Sequence, residues 1–493
     1  MALYIGIDLG TSSVKLMLVD GDGQIRNTIT KNYSVHYPRR DWSEQNASDW
    51  LCAVCEALPE LLEGFDGQAV QGIGVAGQMH GLVVLDNNDN VIRPTILWND
   101  GRTHKETAYL NEVIGKKKLF EQTGNIAFAG FTAPKLLWLR ENEPENFARI
   151  SKIMLPKDYI NYSLTGTHCT DYSDAAGMLL LDVKNKRWSK EMLDICGIDE
   201  SQMPRLYESF EVVGCIRQNL AERFGINPRA VVVAGAGDNA AAAIGTGTVG
   251  NGKCNISLGT SGTIFVSSDR FLGNEKQAVH SFCHSDGGYH LMGCILSAAS
   301  CNKWFCEEVL RTADYGAEEA NISYDKLGKN EVFFVPYLMG ERSPINDTNA
   351  TGIFIGLRPN TSRADMYQAV LEGVAFAIKD NLQIIEQFGI DVRSSCLCGG
   401  GAKSKLWREI LANVLDIELN IPVTEQGPGY GSVILAMVGT GRFDSVKTAS
   451  DKVFEIKETV TPSKELSMLY ANRYEKYRKI YPAVKELYKE IKE

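Results

Sequence analysis

Asp238 lies in Gly235-Ala236-Gly237-Asp238-Asn239, directly after the apolar run Ala230 to Ala234 and directly before the helix-prone Ala240 to Ala243. A carboxylate at such a helix N-terminus is expected to stay ionised, because the helix dipole and the nearby N–H groups favour the anion. That suits a base taking a proton from a neutral hydroxyl. The same stretch fits Gly-x-Gly-x-x-Ala, the setting of a dinucleotide-binding turn, so a dinucleotide-dependent dehydrogenase is the rival of a different class. Two observations count against it. No Asp or Glu follows between Asn239 and Ser268 to bind a ribose, and the Asp238 carboxylate would repel a pyrophosphate in its own cradle.

A second kind of site is written twice. Leu9-Gly10-Thr11-Ser12 recurs as Leu258-Gly259-Thr260-Ser261, each copy flanked by alternating apolar residues. Each reads as a β-hairpin whose Gly-Thr-Ser turn offers hydroxyls and bare N–H groups to phosphate oxygens, and two facing hairpins could clamp one polyphosphate. One copy alone is ordinary turn chemistry; two copies in corresponding halves indicate a duplicated fold. The loop Gly399-Gly400-Gly401-Ala402-Lys403-Ser404, set between a strand and a helix, lets a flat ligand approach the backbone and suits a nucleotide. By contrast Gly247-x-x-x-x-Gly252-Lys253-Cys254 fails as a Walker loop: Cys stands where a hydroxyl must ligate the cation, and a strand follows where a helix is required.

The elements that must carry these groups are mixed. Residues 3–8, 13–20 and 24–33 predict a three-strand meander, Ala47 to Leu62 a helix, Ala69 to Val75 a strand, Leu82 to Leu85 a further strand, and a strand reaching Ile96 to Arg102. The second half repeats hairpin, strand (Tyr289 to Ile295) and helix (Ala298 to Leu310). A long helix begins at Ser362, capped by Ser362-x-x-Asp365, and the last thirty residues predict one amphipathic helix. The glycine-rich Gly245 to Gly252 cannot hold an element and marks a boundary between domains 1–246 and 247–493.

The chain has 493 residues, 44% of them hydrophobic, and a formal net charge of −10. Two large domains are expected. The acidic balance with scattered Lys and Arg argues against nucleic acid or an anionic membrane as partner, and the start of the chain and the absence of a long apolar run lead to the expectation of a cytoplasmic protein. Twelve cysteines without a compact framework fit free thiols. Cys52 and Cys55 read as core residues on one helix face, and His280, Cys283 and His284 as ordinary strand residues, not zinc ligands.

Taken together, the chain resembles the FGGY carbohydrate kinases of the sugar kinase, actin and Hsp70 superfamily over essentially its whole length. One family signature is recognisable as Gly130-Phe131-Thr132-Ala133-Pro134-Lys135-Leu136-Leu137-Trp138-Leu139, a second as Gly352-Ile353-Phe354-Ile355-Gly356-Leu357 with Asp365-Met366 and Ala369-Val370-Leu371-Glu372. Within the family, Gln78-Met79-His80-Gly81, Leu97-Trp98-Asn99-Asp100-Gly101-Arg102 and Asp171-Tyr172-Ser173-Asp174-Ala175-Ala176-Gly177 are similar to the members that phosphorylate xylulose; glycerol-specific members carry Arg-Glu in place of Met79-His80.

The resemblance implies an α/β fold of two actin-like (ribonuclease H-like) domains, mixed sheets flanked by helices, with the active site in the cleft between them. It implies ATP-dependent phosphorylation of the terminal hydroxyl of a ketopentose, D-xylulose first, with ribulose, L-xylulose or gluconate as alternatives. Asp238 would be the base, with Met79, His80, Asp100 and Asn239 also around the sugar. Thr11, Ser12, Gly259 and Thr260 would hold phosphates, Gly400, Gly401 and Ser404 would line the adenosine side, and Asp8 would bind Mg²⁺. Ser257 stands where the second copy would need a matching carboxylate. A homodimer is the family expectation. An actin-like or chaperone-type ATPase is a third reading, against which the sugar-side motifs argue.

Overall fold

A computed structural model describes residues 1–276, 279–423 and 427–492. The N-terminal sheet is built on β1 (Leu3–Leu9), β2 (Ser13–Asp20) and β3 (Ile25–Asn32), joined as an antiparallel meander. After helix α1 (Ala47–Leu61), β4 (Val70–Gly77) runs parallel to β1. Helices α2 (Thr132–Asn142), α3 (Pro156–Thr165) and the short α4 (Tyr172–Ala175) follow. Then β5 (Val212–Cys215) and β6 (Val231–Val233) complete the sheet, β6 parallel to β4 and β5 antiparallel to β6. The order is β3-β2-β1-β4-β6-β5, with Ala236–Gly237 pairing to the end of β4.

Helix α5 (Asp238–Gly245) leads into the second half. There β7 (Cys254–Leu258) and β8 (Gly262–Ser268) form a hairpin, β9 (His280–Cys283) and β10 (Tyr289–Ile295) extend it, and β11 (Ser394–Cys398), β12 (Glu418–Pro422) and β13 (Ile456–Val460) complete the sheet. Helices α6 (Arg363–Glu386), α7 (Lys405–Leu415) and α8 (Gly427–Gly439) are interleaved, and α9 (Lys464–Tyr477) and α10 (Ile480–Lys492) end the chain. The order is β9-β10-β8-β7-β11-β12-β13. Leaving out β9, each step repeats the pairing sense of the first sheet: antiparallel, antiparallel, parallel, parallel, antiparallel. The repeated Leu-Gly-Thr-Ser is the visible remnant of a repeated topology.

One helix departs from a simple division into halves. From the C-terminal half, α8 packs on β1, β4 and α5, and its Tyr430, Val433, Ile434 and Met437 share a core with Tyr4, Met17 and Ala241. Glycine allows the approach: a Cβ on Gly431 would stand 1.8 Å from the Ala241 carbonyl oxygen, and one on Gly6 2.2 Å from that of Gly429. Helix α8 thus belongs by packing to α5 and the N-terminal sheet, although it comes from the C-terminal half.

Several expectations are corrected. Trp98 to Arg102 is a loop, with only Thr95–Ile96 paired as strand. There the Asp100 carboxylate accepts hydrogen bonds from the Ser43 and Arg102 N–H groups, a local alternative to a ladder. The terminal helix is two, α9 and α10; Pro482, which lacks an N–H, is accommodated only in the first turn of a restarted helix. Cys52 is exposed and Cys55 half-buried, because α1 buries Ala47, Trp50, Ala53, Val54, Ala57, Leu58 and Leu61 instead. Ser362 does cap α6 with Asp365 in a reciprocal box. No helix among the described residues is long and apolar enough to cross a membrane.

Candidate functional site

The two hairpin tips have their carbonyls tied inward. In the first, Gly10 O accepts from the Tyr33 hydroxyl at 2.5 Å, Thr11 O from Gln45 Nε2 at 2.6 Å and Ser12 O from the Tyr33 N–H. In the second, Gly259 O accepts from the Ala299 N–H, and Thr260 O from the Ala298 N–H and the Ser300 hydroxyl. With acceptors turned away, both tips can present donors. The Thr11 hydroxyl accepts from Trp98 Nε1 at 3.0 Å, which leaves its own proton to donate. Gly401 packs against Leu258 and Trp407, so the triple-glycine loop lies behind the second hairpin; a side chain on Gly400 would meet only open space. Ser404 caps α7, its hydroxyl accepting from the Trp407 N–H.

Asp8 is at the end of β1, paired across the hairpin with Lys15. Burial, then repulsion from Asp238, raise its carboxyl to about 7 against the pull of Lys15. Two recessed carboxylates that repel each other are residues to which a divalent ion could bind. Among the described residues no cluster of three or more His, Cys, Asp or Glu could hold a metal, so a cation here would depend on phosphate oxygens and water for most of its shell.

Asp238 opens α5, and its Oδ1 accepts from the N–H and the side-chain amide of Asn239 at 2.7 and 2.9 Å. The expected preference for the anion is present in these bonds, but burial outweighs them and the carboxyl stands at about 6. It is poised near neutrality. The glycines ahead of it are explained by packing: a Cβ on Gly235 would lie 1.9 Å from the Val75 carbonyl oxygen, and one on Gly237 about 3.0 Å from Met79. Both glycines face protein rather than a pyrophosphate.

His80 sits at φ +69° after β4. Its Nδ1 lies 2.7 Å from the Gly177 carbonyl oxygen, which can only accept, so Nδ1 carries the proton and Nε2 is left as an acceptor. Burial, with the nearby charges of Lys135 and Arg342, holds the imidazole down at about 3; it is neutral. The His80 carbonyl is held from the other side by Lys135 Nζ at 2.7 Å and the Thr132 hydroxyl at 3.1 Å. Lys135, fully buried, also donates to Gly130 O, and Phe131 stacks on the His80 ring at 4.8 Å. The Gly130 to Leu139 signature is therefore the back wall of the His80 turn.

Met79, His80, Asp238 and Asn239 line one cavity of about 250 Å³, together with Trp98, Phe128 and Phe131. The opposite wall comes from the second half: Ser261 and Thr263 beside the second hairpin, His280 of β9, Met292 and Cys294 of β10, and Arg342. Of these, Ser261 lies in the second Gly-Thr-Ser turn singled out in the sequence, and the others are not among the residues expected at the site. His280 reads from the sequence as an ordinary strand residue, and only the placement of β9 at the sheet edge turns it into the cavity, where its Nδ1 has no protein partner. Asp100 does not belong to the cavity. Its buried carboxylate is bound on both oxygens by Arg102, at 2.8 and 2.7 Å, and accepts from the Ser43 N–H; Arg102 stacks on Trp42 at 3.7 Å. No lone pair is left for a sugar.

The chain matches the models of the FGGY family of carbohydrate kinases, the N-terminal domain over residues 3–245 and the C-terminal domain over 254–440. The chain belongs to that family. The FGGY kinases it resembles include the xylulose kinase of Escherichia coli strain K12, 39% identical over 97% of this chain and 98% of that one. A crystal structure of a xyloylose kinase from Brucella ovis superposes with a TM-score of 0.94 at 39% identity, covering 98% of this chain and 100% of that one. A gluconate kinase from Lactobacillus acidophilus superposes almost as well, TM-score 0.93 at 25% identity over 99% of each chain, so the fold is shared across substrates. The FGGY kinase described here accordingly has two actin-like domains with mixed sheets and uses ATP as phosphate donor.

Proposed function

We propose that this FGGY kinase transfers the γ-phosphoryl group of ATP to the terminal hydroxyl of D-xylulose, yielding D-xylulose 5-phosphate. The observation that carries the reading is the shared cavity, in which a recessed carboxylate poised at about 6 (Asp238) stands with the neutral imidazole of His80. The similarity to xylulose kinases over nearly the full chain selects the sugar. Asp238 takes the proton of the attacking hydroxyl, Asn239 holds the base in line, and His80 Nε2 accepts from a second sugar hydroxyl. Thr11 and Ser12 on one side, and Gly259 and Thr260 on the other, donate to phosphate oxygens. Gly400, Gly401 and Ser404 face the adenosine.

Asp8 would hold Mg²⁺, which supplies charge neutralisation for the phosphates when bound. Residues 1–246 carry the sugar base and first hairpin, and 247–493 the second hairpin and adenosine side, with α8 returning to the first. ATP chemistry of this kind belongs in the cytoplasm.

An ADP-release assay across D-xylulose, ribulose, L-xylulose, glycerol and gluconate tests the assignment. D-xylulose is expected to give the highest kcat/KM; its ranking among the poorest would overturn the substrate.

A further inference from the structure

Behind the cavity lies a buried group of charges that the reading above does not use. Lys157 Nζ donates to Asp158 Oδ1 at 2.6 Å and forms ion pairs with Asp171 Oδ1 at 2.9 Å and Asp174 at 3.8 Å, and all four side chains are inaccessible to solvent. A buried ion cluster of this kind adds little net stability, since desolvation offsets most of the attraction. Its geometry has a more specific consequence. The other oxygen of Asp171 accepts three hydrogen bonds, from the Ser173 N–H at 2.8 Å, the Ser173 hydroxyl at 2.5 Å and the Ser209 hydroxyl at 2.8 Å. The Ser173 proton is thereby committed to Asp171, and its oxygen accepts from the Gly237 N–H at 3.2 Å. Gly237 is the residue before Asp238. The approach to it is held as well, by Asn161 Nδ2 donating to Ala234 O at 2.7 Å.

At its far end the same turn, α4 and the 3-10 turn Ala176–Met178, carries Gly177, whose carbonyl fixes His80 Nδ1. There is no slack at that contact: a Cβ on Gly177 would stand 2.4 Å from the His80 ring and 3.0 Å from Met79 Cε.

We propose that the turn Asp171 to Gly177 is a bracket setting the position of Asp238 relative to His80, and that Ser173 is its positioning residue. This rests on Asp238 and His80 acting as the base and a sugar contact. The hydroxyl touches no substrate; it holds the backbone that aims the base. Misplacement of a reacting group by as little as 1 Å can cost about a hundredfold in rate.

The test compares Ser173→Ala and Ser173→Cys with Ser209→Ala in the full chain, using whichever sugar gives the highest kcat/KM in the substrate panel. Ser209 supplies a control because it donates to the same Asp171 oxygen and its side chain reaches no group of the site. Both Ser173 variants are expected to lose about 10–100-fold in kcat with KM for ATP changed less than about threefold, and Ser173→Thr to recover most of the rate. Ser209→Ala is expected to show a similar drop in Tm with kcat nearly unchanged. Equal loss of kcat in the Ser173 and Ser209 variants, or wild-type kcat in Ser173→Ala, would overturn the bracket. A wrong sugar is revealed by the panel and a wrong base by an active Asp238→Asn, so neither failure is confused with this one.

Discussion

Replacing Asp238 by Asn should make the protein more stable and nearly inactive, with the gain in stability confined to one side of a pH window. The substitution keeps an oxygen for the two Asn239 donors and removes only the charge and the basicity. In the folded chain burial lifts the carboxyl from 3.8 to about 6. At about 1.4 kcal/mol per pH unit, that displacement is worth about 3 kcal/mol. The carboxylate keeps a face toward the open cavity, which screens it, so about 1–2 kcal/mol is expected.

The sign follows from linkage. Below about pH 4 the group is protonated in both states and costs nothing; as pH rises toward 6 the unfolded chain ionises first, and the native state loses stability that it does not regain above 6. Asp238→Asn should therefore melt a few degrees above wild type at about pH 8 and together with it near pH 4. Loss of the Asp238 charge also relieves Asp8, whose carboxyl it helps to raise. Transfer should fall by about 10²–10⁴ in kcat, the range of a general base. Scanning calorimetry at the two pH values and a coupled ADP assay read both effects. A variant less stable than wild type at the higher pH, or one with kcat within about tenfold of wild type, would refute the reasoning.

Two further substitutions separate the sugar contact from its neighbours. His80→Asn tolerates the positive φ but shortens the reach of the acceptor, and should raise KM for the sugar about 5–30-fold, the value of one hydrogen bond to a ligand hydroxyl, with KM for ATP unchanged. Because that imidazole is held near 3, any step in the sugar KM near pH 6 belongs to Asp238 and should persist in His80→Asn; its disappearance in that variant would remove His80 as a neutral acceptor. Asp100→Asn removes one of the two carboxylates that pair with buried Arg102, leaving Glu44 in place, and should cost about 1–3 kcal/mol of stability, the value of hydrogen bonds to a charged group, seen as a lowered Tm, while KM for the sugar stays put. A sugar KM raised tenfold or more in folded Asp100→Asn would return Asp100 to the cavity.

What could be read from the residue order was local. The duplicated Gly-Thr-Ser turns, the meander, the cap at Ser362 and the strand-to-helix turn before Asp238 all follow from neighbours a few positions apart, and each is found. The errors arise where a local pattern had two outlets. Cys52 and Cys55 have helical spacing, but an adjacent stripe led by Trp50 and Leu58 is more apolar and takes the core. Asp100 shares its stretch with sugar-side motifs, yet Arg102 two residues away and the distant Ser43 N–H satisfy it.

By itself the sequence determined the chemistry on offer: a carboxylate at the head of a helix, an imidazole after a strand, two donor turns, and a composition that forms two cores. Tertiary structure decided which of these meet. His280, Ser261, Thr263 and Arg342 reach the cavity of Met79 and Asp238 only because the edge of the second sheet packs against the residues that follow β4 in the first half, Met79, Phe131 and Met178 among them, a relation between residues far apart in the chain that no spacing encodes. Folding also set the ionisation of the base, since the local dipole favours the anion whereas burial, a property of the whole fold, opposes it more strongly.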